Sequence, residues 1–427
     1  QFKHLFSLFT INIEETLLES ILDIQLVIPA KVNYISPQEG TFSITEESHT
    51  ITRSNTGTNS YSFIIPPLEA CTLTLSLFMK DNTIHQMVLN PHTFLSGKKY
   101  ECNVVRLDSS PGIRTAEDLI AFSQLINKTY KGNKTLDDFG KQVNGEMIYS
   151  LCNDIELTEE DCNRLEPIGY HTDIPFSNTF DGKGHTISNL KFKTHNGYGG
   201  LFGKLDSTAT IKNLNIDNCL GIIKIGDNSS GMGIIVGRCY GTVSNCHVTN
   251  STLSSNDSFY TGGISGYTNG RIINCSVKNT TLEASLGSLG IITGYLHEGN
   301  IMNSYSCHNT VNKKSTHNGG ICGYGLNGTL TNCYVYSNNN VKGHIIGTGK
   351  HAVITYCYCD QLPFIYSNEE GCSYGKNYQY TTNFTATSNN TPIYQLLNQW
   401  IESQDTTSDT YTPWKEHSSL PAAFITQ

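Results

Sequence analysis

The stretch Gly-x-(Leu/Ile)-x-Gly recurs six times, at Gly199–Gly203, Gly233–Gly237, Gly262–Gly266, Gly290–Gly294, Gly319–Gly323 and Gly343–Gly347, with closing glycines 34, 29, 28, 29 and 24 residues apart. A repeat of this length restricts the chain to architectures in which each copy is one coil stacked on the last. A second landmark follows each glycine pair: Asn213, Asn245, Asn274, Asn303, Asn332, and Tyr356 in the last copy. Ile211, Val243, Ile272, Ile301, Leu330 and Ile354 stand two positions before it. Leu214, Cys246, Cys275, Ser304, Cys333 and Cys357 follow it directly, and Ile216, Val248, Val277, Ser306, Val335 and Cys359 stand three positions after it. Between the glycines lie Leu201, Ile235, Ile264, Ile292, Ile321 and Ile345.

These columns are mostly β-branched or small, which suits strands. The two columns after the Asn share a face by strand alternation, but the column before it is at odd spacing and would point the other way on a straight strand. The chain therefore bends at the Asn, a residue that tolerates the left-handed backbone of a tight corner. Stacked corners would align the amides into a ladder. The glycines serve a second corner or a close approach between coils. The expected class is all-β: a sandwich at the N-terminus, then a parallel β-helix of six recognisable coils and an irregular first one, closed by short helical and strand caps.

The flanks read differently. Residues 1–108 carry seven short apolar or alternating runs (2–13, 21–28, 41–45, 60–65, 71–79, 84–89 and 99–107) separated by turn-rich pieces such as Ser36–Gly40, Asn55–Asn59, Asp81-Asn82 and Pro91. That count and spacing suggest a β-sandwich. Residues 109–175 read as a linker, Ser109-Ser110-Pro111-Gly112, then a helix and a cap for the first end of the solenoid. Thr115 is the expected N-cap of that helix, with Leu119, Ile120, Phe122, Leu125 and Ile126 as its apolar face. Residues 176–360 are the β-helix. Residues 361–427 form the C-terminal cap, in which Pro392–Ser403, with Ile393, Leu396, Leu397 and Trp400, is expected to plug the last coil.

Charged residues make up only 15% of the chain and the formal charge is −9. Residues 176–360 hold 13 Lys+Arg against 8 Asp+Glu, so this part carries +5 and the rest −14. Mild basicity spread over a solenoid is not a nucleic-acid footprint, and no nucleic-acid partner is expected. Five of the 14 cysteines fall on inward columns, where a thiol packs as a small apolar residue. Reduced thiols are favoured, although stacking of Cys246 on Cys275 would permit a disulfide. Cys357 and Cys359 with Cys372 and His351 match no strong zinc spacing, so neither metal nor cofactor is expected. No apolar run is long enough to span a membrane. The chain opens at Gln1 without a leader, so any export signal is expected upstream.

Thr179-Phe180-Asp181-Gly182-Lys183-Gly184-His185-Thr186-Ile187-Ser188-Asn189-Leu190, followed by Gly199-Gly200-Leu201-Phe202-Gly203 and Ile211-Lys212-Asn213-Leu214, closely resembles the opening of bacterial surface proteins with GLUG-type repeats. Thr115–Phe122, Asn153–Leu157, Pro167-Ile168-Gly169 and Tyr411-Thr412-Pro413-Trp414-Lys415 with Leu420-Pro421 extend the resemblance over about 113–427. Phe2-Lys3-His4-Leu5 and Ser96-Gly97-Lys98-Lys99-Tyr100 resemble fimbrillin-like modules of Gram-negative gut anaerobes. The resemblance implies a right-handed β-helix and an exported lipoprotein of the outer membrane or fimbria, attached only through an upstream lipid anchor. Ser304, Ser306 and Tyr356 depart from the repeat, and no lipidated Cys is present.

The motifs that suggest chemistry have plainer readings. Gly323–Gly328 fits G-x-G-x-x-G but lacks a βαβ context. Asp181 between glycines reads as a turn residue. Glu283 and Glu298 are not at matched positions, so no carboxylate pair for glycoside hydrolysis is visible. His185, His195, His247, His297, His317 and His344 are scattered, and Asn279-Thr280-Thr281 and Asn383-Phe384-Thr385 are chance glycosylation triplets. The expected function is a non-enzymatic adhesin or fimbria-associated structural protein. Its partners would be a host or community glycan or protein and other fimbrial subunits, met through exposed Tyr240, Tyr260, Tyr267, Tyr295, Tyr305, Tyr324 and Tyr334. The alternatives are a polysaccharide lyase or hydrolase, for which Lys313-Lys314 beside His317 is the nearest approach to a site, and a passive spacer.

Overall fold

A computed structural model describes residues 6–36, 41–80, 84–104, 111–171, 173–192, 198–223, 231–255, 259–285, 287–312, 317–374, 379–382, 385–386, 391–404, 411–418, 420 and 422–424. The resemblance residues Phe2-Lys3-His4-Leu5, the linker serines 109–110, and Lys313-Lys314, His195 and Asn383-Phe384 lie outside these. The chain divides into two compact units, Gln1–Ser110 and Pro111–Gln427.

In the first unit, Ser7–Ile13 pairs antiparallel with Ser60–Ile65 and parallel with Lys99–Val104. A second sheet runs His49–Ser54, Ile21–Ile28, Leu68–Met79, Ile84–Phe94. The alternation of Ser7–Ile13 turns Phe9, Ile11 and Ile13 onto Ile24, Leu26, Leu75 and Leu77 of the other sheet, and this apolar layer joins the two. Two strands escape the sequence pattern. His49–Ser54 is polar and exposed along nearly its whole length because it is a sheet edge, and Lys31–Ser36 belongs to a separate hairpin with Thr41–Thr45. Pro91 does not end its strand. It lies in Ile84–Phe94 beside a register shift, and this strand is the opposite edge, where a missing N–H breaks no ladder.

The second unit is a parallel β-solenoid of about six turns. Ile211, Val243, Ile272, Ile301, Leu330 and Ile354 are consecutive partners across one ten-stranded sheet, all fully buried. That sheet begins earlier than the glycine repeats. Glu146–Ser150 lies parallel to Thr179–Asp181, and its outer edge is closed by the antiparallel strand Gly140–Val143. The chain turns at Asn213, Asn245, Asn274, Asn303, Asn332 and Tyr356, all with φ between 48° and 55°. Their amides form the expected ladder: Asn245 donates to Asn213 at 3.2 Å, Asn303 to Asn274 at 2.7 Å and Asn332 to Asn303 at 2.7 Å.

The second corner is not glycine. It falls five residues later, at Asn218, Asn250, Asn279, His308 and Ser337, again with φ near 50°. The buried residue after each of these closes a rung: Thr280 N–H donates to Asn309 Oδ1 and Asn309 N–H to Asn338 Oδ1, both at 2.9 Å. The repeated glycines instead permit close approach. A Cβ on Gly266 would sit 2.2 Å from Met232 N in the coil before, and one on Gly262 would sit 2.2 Å from Ser265 O. The serines that break the apolar columns are buried but satisfied: Ser304 Oγ donates to Met302 O at 2.8 Å and Ser306 Oγ to Gly320 O at 2.6 Å. All fourteen cysteines are free, and Cys246, Cys275, Cys333, Cys357 and Cys359 are buried. Burial pushes the thiols of Cys246 and Cys357 well up, so they stay protonated and unreactive.

Helix Ala116–Ile126 starts at Thr115 through a reciprocal cap with Asp118. Its Phe122 packs on Phe139, Tyr149, Phe176 and Phe180, which covers the first coil. Helix Ile393–Glu402 does not plug the far end. It lies along the side of the coils, where Ile393 and Leu397 meet the outward faces of Tyr305, Tyr334 and Tyr358. The hairpin of Trp414-Lys415 and Ala423-Phe424 joins it. Thr412 accompanies the first Asn ladder, bonded to Asn245 and Asn274, and Trp414 Nε1 donates to Asn303 at 2.6 Å. The ladder's carboxamide oxygens can each accept a second bond along one edge, and this strap supplies it.

Candidate functional site

The residue after each closing glycine points outward from a seven-stranded sheet, and the register stacks Lys204, Arg238, Tyr267, Tyr295, Tyr324 and Thr348 in one column. Three of these are tyrosines on adjacent coils. Tyr295 is near-parallel to Tyr267 (5.5 Å, 17°) and to Tyr324 (5.3 Å, 13°). Tyr260, from the neighbouring strand Tyr260–Gly262, leans on Tyr295 at 4.7 Å, and Tyr240 lies 5.8 Å from Tyr267. All five rings are half-buried. Because the faces of Tyr295 are taken by its neighbours, the stack offers ring edges and hydroxyl groups outward rather than open platforms. Burial among the rings pushes the Tyr295 hydroxyl up to about 12, so it remains a neutral donor.

The column is polarised. At the early coils, the Arg238 guanidinium lies 4.8 Å from the Tyr267 ring centroid and 5.9 Å from that of Tyr198, with Nη1 3.4 Å from the Tyr240 hydroxyl. Its buried Nε has no hydrogen-bond partner among the described residues. Lys204 lies 5.7 Å from the Tyr240 ring. At the late coils the Tyr324 hydroxyl donates to Glu369 at 2.6 Å. His297 Nδ1 is 3.1 Å from the Tyr267 hydroxyl, and His317 meets the Tyr324 ring edge-on at 5.1 Å.

Of the seven tyrosines expected to be exposed, five assemble here and two do not. Tyr305 and Tyr334 stack on each other at 4.8 Å on a different sheet and are buried beneath Trp414 and Phe424. The C-terminal strap hides them, and nothing in the repeat itself marks that. Arg238 and Lys204 belong to the site although sequence reasoning passed over them, and the signal was their place directly after a closing glycine. Asp181 is the turn residue expected, accepting from Lys183 N–H and Asn213 Nδ2 at 2.9 Å each. Glu283 accepts from Ser254 at 3.3 Å. Among the described residues no group of three His, Cys, Asp or Glu side chains is placed to hold a metal, and no helix is long and apolar enough to cross a membrane.

No family model matches the chain. Over 161 residues it is 32% identical to Halomucin of Haloquadratum walsbyi, a match that covers 33% of this chain and 2% of Halomucin. Among solved structures it is similar to an IgA1 Protease (TM-score 0.33, 13% identity, covering 88% of this chain and 30% of that one). It is also similar to the catalytic domain of a GH87 alpha-1,3-glucanase in complex with nigerose (TM-score 0.17, 10% identity, 85% and 88%). Likeness at these scores carries no argument about activity. The chain spans only a small part of Halomucin and under a third of the IgA1 Protease chain.

Proposed function

We propose that this chain is a non-enzymatic cell-surface adhesin or fimbria-associated protein, which uses the tyrosine column to hold an extended, hydroxyl-rich glycan or the edge of a protein. The observation that carries this reading is the unbroken run Arg238–Tyr267–Tyr295–Tyr324, one side chain per coil. Such a row repeats its hydroxyl groups at the coil spacing and so suits a ligand that is itself repetitive or extended. Tyr and Arg are also the side chains that most often dominate binding energy at interfaces. The short match to Halomucin supports a surface location, and the GLUG-type and fimbrillin-like resemblance supports a Gram-negative bacterium with attachment through an upstream lipid anchor.

The test is a glycan and host-protein array probed with the purified chain and with Tyr267→Ala and Tyr295→Ala. The chain is expected to retain a specific ligand, and each variant to lose at least about tenfold in affinity. Binding that is indifferent to both substitutions, or release of shortened or unsaturated sugars from the array, would contradict the proposal.

A further inference from the structure

A second site lies on a different sheet. Where the strap ends, a groove of about 550 Å³ remains between the hairpin and the polar rungs Asn215–Asp217, His247–Thr249 and Ser276–Lys278. That volume is within the range of small-ligand clefts, about 300–1,000 Å³. Its apolar side is Tyr305 and Phe424, 5.3 Å apart and almost wholly buried. Its polar side is a set of short donors and acceptors, Thr186, Asn215, Thr249 and Ser276. Two cations enter it from opposite elements, Lys278 from the coil and Lys415 from the hairpin, and neither has an ion-pair partner among the described residues. The one carboxylate present, Asp217, is engaged by Thr249 Oγ1 at 2.5 Å and Asn250 Nδ2 at 2.8 Å. His247, beside Ser276 Oγ at 2.8 Å, is kept neutral by burial and by Lys278. The groove therefore carries two unpaired positive charges against one occupied negative charge.

We propose that this groove binds a pyranose bearing a carboxylate, as in a hexuronic acid unit. The carboxylate would sit between Lys278 and Lys415, the ring's apolar face would lie on Phe424 and Tyr305, and the sugar hydroxyls would meet Asn215, Thr249 and Ser276. An anion lacking a ring would leave the aromatic wall unused, and a neutral sugar would leave both lysines unpaired. The site is independent of the tyrosine column, which lies on another sheet.

Calorimetric titration with methyl glucuronoside, methyl glucoside and inorganic phosphate tests it. The glucuronoside is expected to bind with Kd on the order of millimolar. Lys278→Gln or Lys415→Gln should each weaken it about tenfold, with the melting temperature unchanged, and Tyr295→Ala should leave it unaffected. Equal binding of the glucoside, equal binding of phosphate, no binding of the glucuronoside, or a loss confined to Tyr295→Ala would each overturn the assignment. The last outcome would move the acidic sugar to the tyrosine column.

Discussion

Tyr356 holds a left-handed backbone (φ 52°) at the one first corner where the repeat has lost its Asn. The consequence is visible one coil earlier: the Asn332 carboxamide oxygen is buried without a hydrogen-bond partner among the described residues, because no amide follows to donate to it. Tyr356→Asn places in the left-handed region a residue that tolerates it better, through local hydrogen bonding of its short side chain, and supplies the missing donor. It is expected to stabilise the chain by about 1–2 kcal/mol, read as a rise in melting temperature. A lower midpoint would contradict the ladder as the source of corner stability. His247 sets a pH dependence. Burial, then Lys278, lowers its pKa from 6.5 to about 4, with Asp217, Lys415 and His417 as the other ionisable groups of the groove. The unfolded chain therefore takes up the proton first as pH falls. The stability tied to neutral His247 is complete above its ordinary pKa and is lost on acidification toward the folded value. The loss is about 2 kcal/mol, allowing for the partly exposed ring. Urea midpoints at about pH 7 and about pH 4.5 should converge in His247→Gln, and an unchanged pH dependence in that variant would contradict this.

At the scale of elements, the strap is held by few anchors. Trp414 packs on Phe424 at 4.2 Å, donates to Asn303, and is bracketed by the Asn398 side chain at 2.8 and 2.9 Å. Trp414→Ala should cost about 3–5 kcal/mol locally. Hydrogen exchange should quicken across Ile393–Glu402 while Ile272 and Ile301 keep their protection. Equal loss in the coils would show that strap and solenoid open as one. Much of this architecture was legible in the sequence, because a stacked coil writes each inward column at a fixed interval. The Asn corner, the buried Ile and Cys columns and the Thr115 cap were readable for that reason. The second corner was missed because His308 and Ser337 dilute its Asn signal. The burial of Tyr305 and Tyr334 was missed because it depends on contacts with Trp414 and Phe424, which lie far along the chain. The tyrosine column was half legible: the residues were named, but their alignment needed the register.

At the scale of the molecule, the second unit turns a one-dimensional repeat into surfaces that differ around the coil. One sheet is covered by the strap, another carries the tyrosine column, and the interior holds neutral thiols and branched aliphatics. Both proposed binding sites follow from that stacking: the tyrosine column takes one side chain per coil, and the groove sets such rows against the hairpin. The stacking itself is tested most directly by methyl–methyl NOEs in a deuterated sample with labelled Ile δ1 methyl groups. Ile235, Ile264, Ile292, Ile321 and Ile345 are all fully buried and are joined coil to coil through their neighbouring backbone bonds. The account predicts an unbroken walk of NOEs, 235 to 264 to 292 to 321 to 345, with none skipping a coil. Cross-peaks that link non-consecutive members, or none among the five, would contradict it.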